Sequence, residues 1–117
     1  MDGEISAAEL QAFLESGEDV TIVDIRAPFE FRRGHIPGSE NVPFGELTAR
    51  IDEIADADRV VTVCPHGQAS IQAARLVGSF EGFDGRVESL SSGIEGWPYE
   101  LAADDVAAES DGSTPPF

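Results

Sequence analysis

Arg59-Val60-Val61-Thr62-Val63-Cys64 runs into Pro65-His66-Gly67-Gln68-Ala69-Ser70 and then Ile71-Gln72-Ala73-Ala74-Arg75-Leu76-Val77-Gly78-Ser79-Phe80, and this stretch decides the fold. Its first part, Arg59 to Cys64, is short, apolar and rich in β-branched residues, which is the pattern of a strand. Its last part puts Ala73, Ala74, Leu76 and Val77 where one helix would pack on a sheet, with Ser70 as its N-cap. The loop between them is Pro65 to Ala69. A continuous apolar strand that feeds a helix through a short loop is the repeating unit of a parallel sheet covered on both faces. Sites in such sheets lie at the carboxyl ends of the strands, where Cys64 stands.

The flanking sequence repeats the alternation. Ser6-Ala7-Ala8-Glu9 has the form of a capping box. Leu10, Phe13 and Leu14 follow at helical spacing, and Gly17 ends that helix. Val20 to Asp24 reads as a strand. Pro28 suits the first turn of a short helix, Phe29 to Arg33, closed by Gly34. Pro37-Gly38 signals a turn, and Asn41-Val42 a short edge strand. Gly45 to Ala57 is predicted as a helix with Leu47, Ile51 and Ile54 on one face. Arg86 to Leu90 reads as a further strand, and Gly93 to Trp97 as a turn or short helix. Residues 4–102 are thus predicted to form one α/β domain. Residues 103–117 lose the apolar pattern and are expected to be an acidic, disordered tail.

Composition narrows the function. The chain has 117 residues, enough for one core, and 41% of them are hydrophobic. There are 23 Asp and Glu against 7 basic residues, a net charge of −16. Every basic residue is Arg; Lys does not occur. A surface this negative repels nucleic acid and anionic lipid, so neither is an expected partner. Acid spread along the chain without Lys fits a protein of a halophile, since molar salt shortens the Debye length to about 3 Å and screens the repulsion. Recruitment of a basic partner is the competing explanation. Met1-Asp2-Gly3-Glu4 is acidic where a secretory leader would be basic, and no apolar run is long enough to span a bilayer. A cytoplasmic location is expected, and a monomer or weak dimer.

Cys64 is the single cysteine. The loop after it can curl its N–H groups inward as an anion-binding nest, with Gly67 free to take a positive φ. The helix N-terminus adds partial positive charge. Both favour the thiolate, the nucleophilic form. The alternative is that Cys64 is a small buried hydrophobe.

Three blocks bear on that choice. Val23-Asp24-Ile25-Arg26-Ala27-Pro28-Phe29-Glu30-Phe31 continues to Gly34-His35-Ile36-Pro37-Gly38-Ser39 and Asn41-Val42-Pro43; Cys64 stands with Gly67 and Ser70; and Leu90-Ser91-Ser92-Gly93-Ile94-Glu95-Gly96-Trp97 closes the set. Together these resemble the single-domain rhodaneses, a sulfurtransferase family. The resemblance implies a rhodanese-like fold: a five-stranded, mainly parallel sheet with helices on both faces. It also implies catalysis by Cys64, which would accept sulfane sulfur as a persulfide and pass it to a thiol, cyanide or a protein acceptor. Residues Pro65, His66, Gly67, Gln68, Ala69 and Ser70 would bind the small sulfane-sulfur donor. No metal and no cofactor is implied. Ala69 stands where the family commonly has Arg, which removes a guanidinium that would help hold thiosulfate.

The supporting residues carry simpler expectations. Asp24 and Arg26, one residue apart, are expected on the same face of a strand as a structural pair beneath the loop. His35 is expected to be a hydrogen-bonded structural histidine. His66 is expected to point to water, and Trp97 to be a core or lid aromatic. The alternative function is a catalytically weak rhodanese-like module for regulation or protein interaction. A cysteine phosphatase needs Arg six positions after the nucleophile, where this chain has Ser70.

Overall fold

The computed structural model describes residues 2–103. Its elements are β1 (Asp2–Ile5), α1 (Ala7–Ser16), β2 (Thr21–Asp24), α2 (Pro28–Arg33), β3 (Glu40–Asn41), α3 (Leu47–Arg50), β4 (Arg59–Val63), α4 (Ala69–Ser79) and β5 (Arg86–Leu90). The sheet order is β1-β5-β4-β2-β3, which puts β4 at the centre. Every pairing is parallel, so the sheet is fully rather than mainly parallel. The fold is α/β with five strands. No helix among the described residues is long and apolar enough to cross a membrane.

Side-chain alternation along β4 builds two cores. Val61 and Val63 point to one face and pack with Ile5, Leu10, Ile22, Ile36, Leu90 and Trp97. Val60 and, just past the strand, Cys64 point to the other and pack with Leu47, Ile51, Ala73, Ala74 and Val77. Helix α1 therefore covers one face and α3 with α4 the other. The ends of α1 form as the sequence predicts. Ser6 Oγ accepts from the Glu9 amide at 3.1 Å, the Glu9 carboxylate accepts from the Ser6 amide at 2.9 Å, and Gly17 closes the helix at φ 75°.

One strand was missed and three local expectations are corrected. Strand β1 is not legible in Asp2-Gly3-Glu4-Ile5, whose intrinsic strand preference is weak; it exists because Ile5 registers against Leu90 of β5. The helix predicted over Gly45 to Ala57 is broken. A 3₁₀ turn at Phe44–Glu46 leads into the single α turn of α3, and a second 3₁₀ turn follows at Ile51–Glu53. Asp52, Glu53 and Asp56 would put negative charge at the carboxyl end of a continuous helix, against its dipole. Leu47, Ile51 and Ile54 are nevertheless buried together. Strand β3 is Glu40–Asn41, one residue earlier than predicted. Helix α4 starts at Ala69, not Ile71, for a reason found at the sulfur atom. The tail expected over 103–117 lies outside the described residues except for Ala103. Just before it, Ala102 forms an antiparallel bridge with His35.

Candidate active site

Cys64 follows the last residue of the central strand and is 2% exposed. The chain then turns back on it. Gly67, at φ 86°, aims its N–H at Cys64 Sγ from 3.0 Å. The Ser70 N–H reaches the same sulfur at 3.3 Å. Ser70 Oγ also lies 3.3 Å from Sγ. The predicted N-cap role of Ser70 is therefore wrong. Gln68 holds the cap position and makes no side-chain capping bond. The first amides of a helix lack intrahelical acceptors. Here the sulfur takes the Ser70 amide, so the Cys64 side chain itself caps α4. The Ser70 side chain points inward, with its Oγ 2.6 Å from Ser89 Oγ of β5. Below them Thr62 Oγ1 donates to the Ser70 carbonyl at 2.7 Å.

Burial pushes the Cys64 thiol pKa up, since a charge is harder to hold away from water. That effect is outweighed. The Ser70 hydroxyl, then the amides of Ser70, Gly67 and His66, favour the anion and bring the pKa below the ordinary thiol value. Hydrogen bonds do this work; it needs no neighbouring cation.

A second segment clamps the loop. The Ile94 amide donates to the Cys64 carbonyl at 2.9 Å and the Glu95 amide to the Pro65 carbonyl at 3.1 Å. The close approach demands glycine. A Cβ on Gly67 would lie 3.0 Å from the Ser91 carbonyl carbon, and one on Gly93 would lie 2.7 Å from His66 Cα. Trp97 is buried with the α1-side core, as a core aromatic.

The remaining predicted residues fall in two places. His66, Gln68 and Ala69 are exposed, and His66 Nδ1 stands 3.7 Å from Glu95 Oε1. Asp24 and Arg26 do pair, with contacts of 2.8–3.1 Å, and both are buried at the side chain. They are not two side chains of one strand face, because β2 ends at Asp24 and Arg26 folds back on it. Arg26 also donates to the Gly34 carbonyl at 2.7 Å. Asn41 Nδ2 ties the turn by donating to the carbonyls of Asp24 and Arg26, each at 3.0 Å. His35 is buried, stacks on Phe31 with ring centroids 3.9 Å apart, and has Nδ1 2.8 Å from the Phe31 carbonyl oxygen. Arg26, Glu30, Arg33, Gly34, Ile94 and Leu101 line an open pocket of about 330 Å³, and Ile94 is the residue whose amide holds the Cys64 carbonyl. Sequence reasoning missed Ser89 and Thr62. Their signal is polarity at strand positions that face α4, where Val60 and Val87 are apolar.

A profile of the rhodanese-like domain matches residues 6–100. A sulfurtransferase of Allochromatium vinosum is 37% identical over 97 residues, which cover 83% of this chain and 89% of that protein. A thiosulfate sulfurtransferase GlpE of Shewanella oneidensis is 40% identical over 85 residues, 72% of this chain and 81% of that one. A putative sulfur carrier protein, YrkF of Bacillus subtilis, is 32% identical over 94 residues; they cover 80% of this chain, which spans 50% of that relative's length. Among solved structures, a rhodanese-related protein of Thermoplasma volcanium superposes with a TM-score of 0.72 at 28% identity, covering 85% of this chain and 96% of that one.

Proposed function

The chain belongs to the rhodanese-like domain family, and from that premise we propose that it is a sulfurtransferase that carries sulfane sulfur as a persulfide on Cys64. The Cys64 thiolate attacks the outer sulfur of a donor. The donor's bond to that sulfur breaks, and the leaving group departs with the electron pair: sulfite from thiosulfate, a thiolate from an organic persulfide, the enolate of pyruvate from mercaptopyruvate. Cys64 then bears a terminal S⁻. Cyanide, a thiolate or a cysteine of a partner protein attacks that terminal sulfur and releases the Cys64 thiolate unchanged. No change of charge carrier outside these groups is required, and no cofactor takes part.

The observation that carries this reading is the convergence of the Gly67 amide, the Ser70 amide and the Ser70 hydroxyl on one buried sulfur. An inert buried cysteine gains nothing from three such groups. Donors preorganised around a sulfur anion act as an oxyanion hole does for oxygen. The sulfur-transfer names of the relatives point the same way, and the GlpE relative makes thiosulfate the first donor to test. The pocket beside Ile94 offers walls of both charges, Arg33 and Glu30, where a donor or acceptor would sit. A cytoplasmic monomer or weak dimer, with its acidic surface suited to high salt, completes the proposal.

Intact-mass spectrometry tests it. After incubation with thiosulfate, mercaptopyruvate or glutathione persulfide, the chain should gain the mass of one sulfur atom. Cyanide should reverse the gain and Cys64→Ser should abolish it. No adduct with any of the three donors would end the enzyme reading and favour an interaction module.

A further inference from the structure

Ser89 is 1% exposed near the carboxyl end of β5, and nothing in the sulfur-transfer scheme uses it. Its Oγ lies 2.6 Å from Ser70 Oγ, and Ser70 is its hydrogen-bond partner among the described residues. Ser70 Oγ lies in turn 3.3 Å from Cys64 Sγ. The three atoms form a chain that runs from the sulfur into the protein. We infer that Ser89 is a positioning residue: its hydroxyl holds the Ser70 hydroxyl in the orientation that donates to the Cys64 thiolate.

Counting protons supports this. With a neutral thiol, S–H donates to Ser70 Oγ and the Ser70 O–H donates to Ser89 Oγ. The Ser89 proton is then left at the buried end of the chain, facing no acceptor among the described residues. With a thiolate the chain reverses. Ser89 O–H donates to Ser70 Oγ, and Ser70 O–H donates to the sulfur, joined there by the Gly67 and Ser70 amides. Every donor now has an acceptor. A buried polar group left unpaired is costly, so the cluster is matched to the anion. Donation by Ser89 also polarises the Ser70 O–H and strengthens its bond to sulfur. Without Ser89, the Ser70 hydroxyl is free to turn back onto its own helix, as serine side chains in helices do.

The charged groups on the surrounding elements leave this effect to the hydroxyls. Asp24 and Arg26 at the end of β2 are bonded to each other. His66 of the loop and Glu95 of the clamp face each other in solvent. Arg50 at the end of α3 is taken by Glu46 and Glu53. Glu88 of β5 lies on the α1 side with Arg59, Glu4 and Glu9. Arg75 of α4 is exposed.

The inference rests on Cys64 acting as a thiolate, and its test uses alkylation, which needs no sulfur donor. A protein that fails to load sulfur is therefore told apart from one in which Ser89 is idle. The rate of iodoacetamide modification is followed against pH for the full chain and for Ser70→Ala, Ser89→Ala and the double variant. Ser70→Ala should raise the midpoint by about one pH unit. Ser89→Ala should raise it by about half a unit. The double variant should match Ser70→Ala alone, because Ser89 acts only through Ser70. An unshifted midpoint in Ser89→Ala, or a double shift equal to the sum of the two, overturns the inference. Should Ser89→Ala not fold, the isosteric pair Ser89→Thr and Ser89→Val decides, since the two differ only in the hydroxyl. A midpoint higher in Ser89→Val than in Ser89→Thr supports the role, and equal midpoints overturn it.

Discussion

Gly93 and Pro65 meet backbone to backbone: a Cβ on Gly93 would lie 2.6 Å from the Pro65 carbonyl carbon, and Gly93 holds φ 65°. The clamp and the sulfur loop thus interlock at a point where only glycine fits. Gly93→Ala should lower stability by about 2 kcal/mol or more, since the positive φ and the backbone clash act together. Gly45→Ala, where the added methyl meets open space, should change it by less than about 1 kcal/mol. Urea denaturation of both variants checks this. Equal midpoints would show that the clamp yields.

The pH behaviour of Cys64 follows from the lowered pKa. Its alkylation rate should rise with pH and level off below the range of a free thiol. For stability the sign is that of an acid whose pKa is depressed by folding. The stabilisation is complete above the unfolded thiol value and is lost as pH falls through the folded one. Stability measured against pH should therefore climb across that alkaline window in wild type and lose the climb in Cys64→Ala. A climb of the same size in both proteins would assign it to other groups.

Glu88 is 7% exposed, and Arg59 meets it at 2.9 Å while stacking over the Phe13 ring. Arg59→Met should destabilise the fold by about 3 kcal/mol, because it strands a buried carboxylate. Arg86, 3.6 Å away and exposed, offsets little of that. Arg59 starts β4 and Cys64 follows its end, so the alkylation midpoint should stay at the wild-type value. Thermal melts with the alkylation assay separate the two effects, and a shifted midpoint would show that the ends of the strand are coupled.

At a net charge of −16, with no Lys, self-repulsion is strong in dilute buffer and screened in concentrated salt. The urea midpoint should rise steadily as KCl is raised toward molar levels. A midpoint that is flat from dilute buffer to molar KCl would remove the halophile reading and leave a basic partner as the explanation for the acid.

The strand, loop and helix from Arg59 to Ser79 were legible because each is decided locally, by an apolar run, a glycine and a helical repeat. Gly67 was singled out for its positive φ, and that is the conformation it adopts. Strand β1 was invisible because its pairing partner lies more than 80 residues away in β5. The broken helix after Phe44 was misread because apolar spacing alone cannot weigh its carboxylates against the helix dipole. At the site, the inward curl of the loop around Cys64 was expected from the pattern, but the placement of Ser70 was not. Choosing between capping the helix and facing the sulfur takes knowledge of Ser89, which only the folded sheet brings alongside.

The sheet order has a consequence for how copies of this protein behave together. A strand at a sheet edge presents unpaired N–H and C=O groups that another chain can extend. In dilute buffer the carboxylates keep copies apart. In molar salt that repulsion is gone, and association then depends on the shape of the edges. One edge, β3, is two residues long, too short to template a partner strand. The other, β1, has four residues and contains Gly3 and Glu4, a poor strand former and a charge. Truncated and charge-broken edges keep working when charge repulsion is screened, so the same two strands that close the sheet should limit edge-to-edge pairing in concentrated salt.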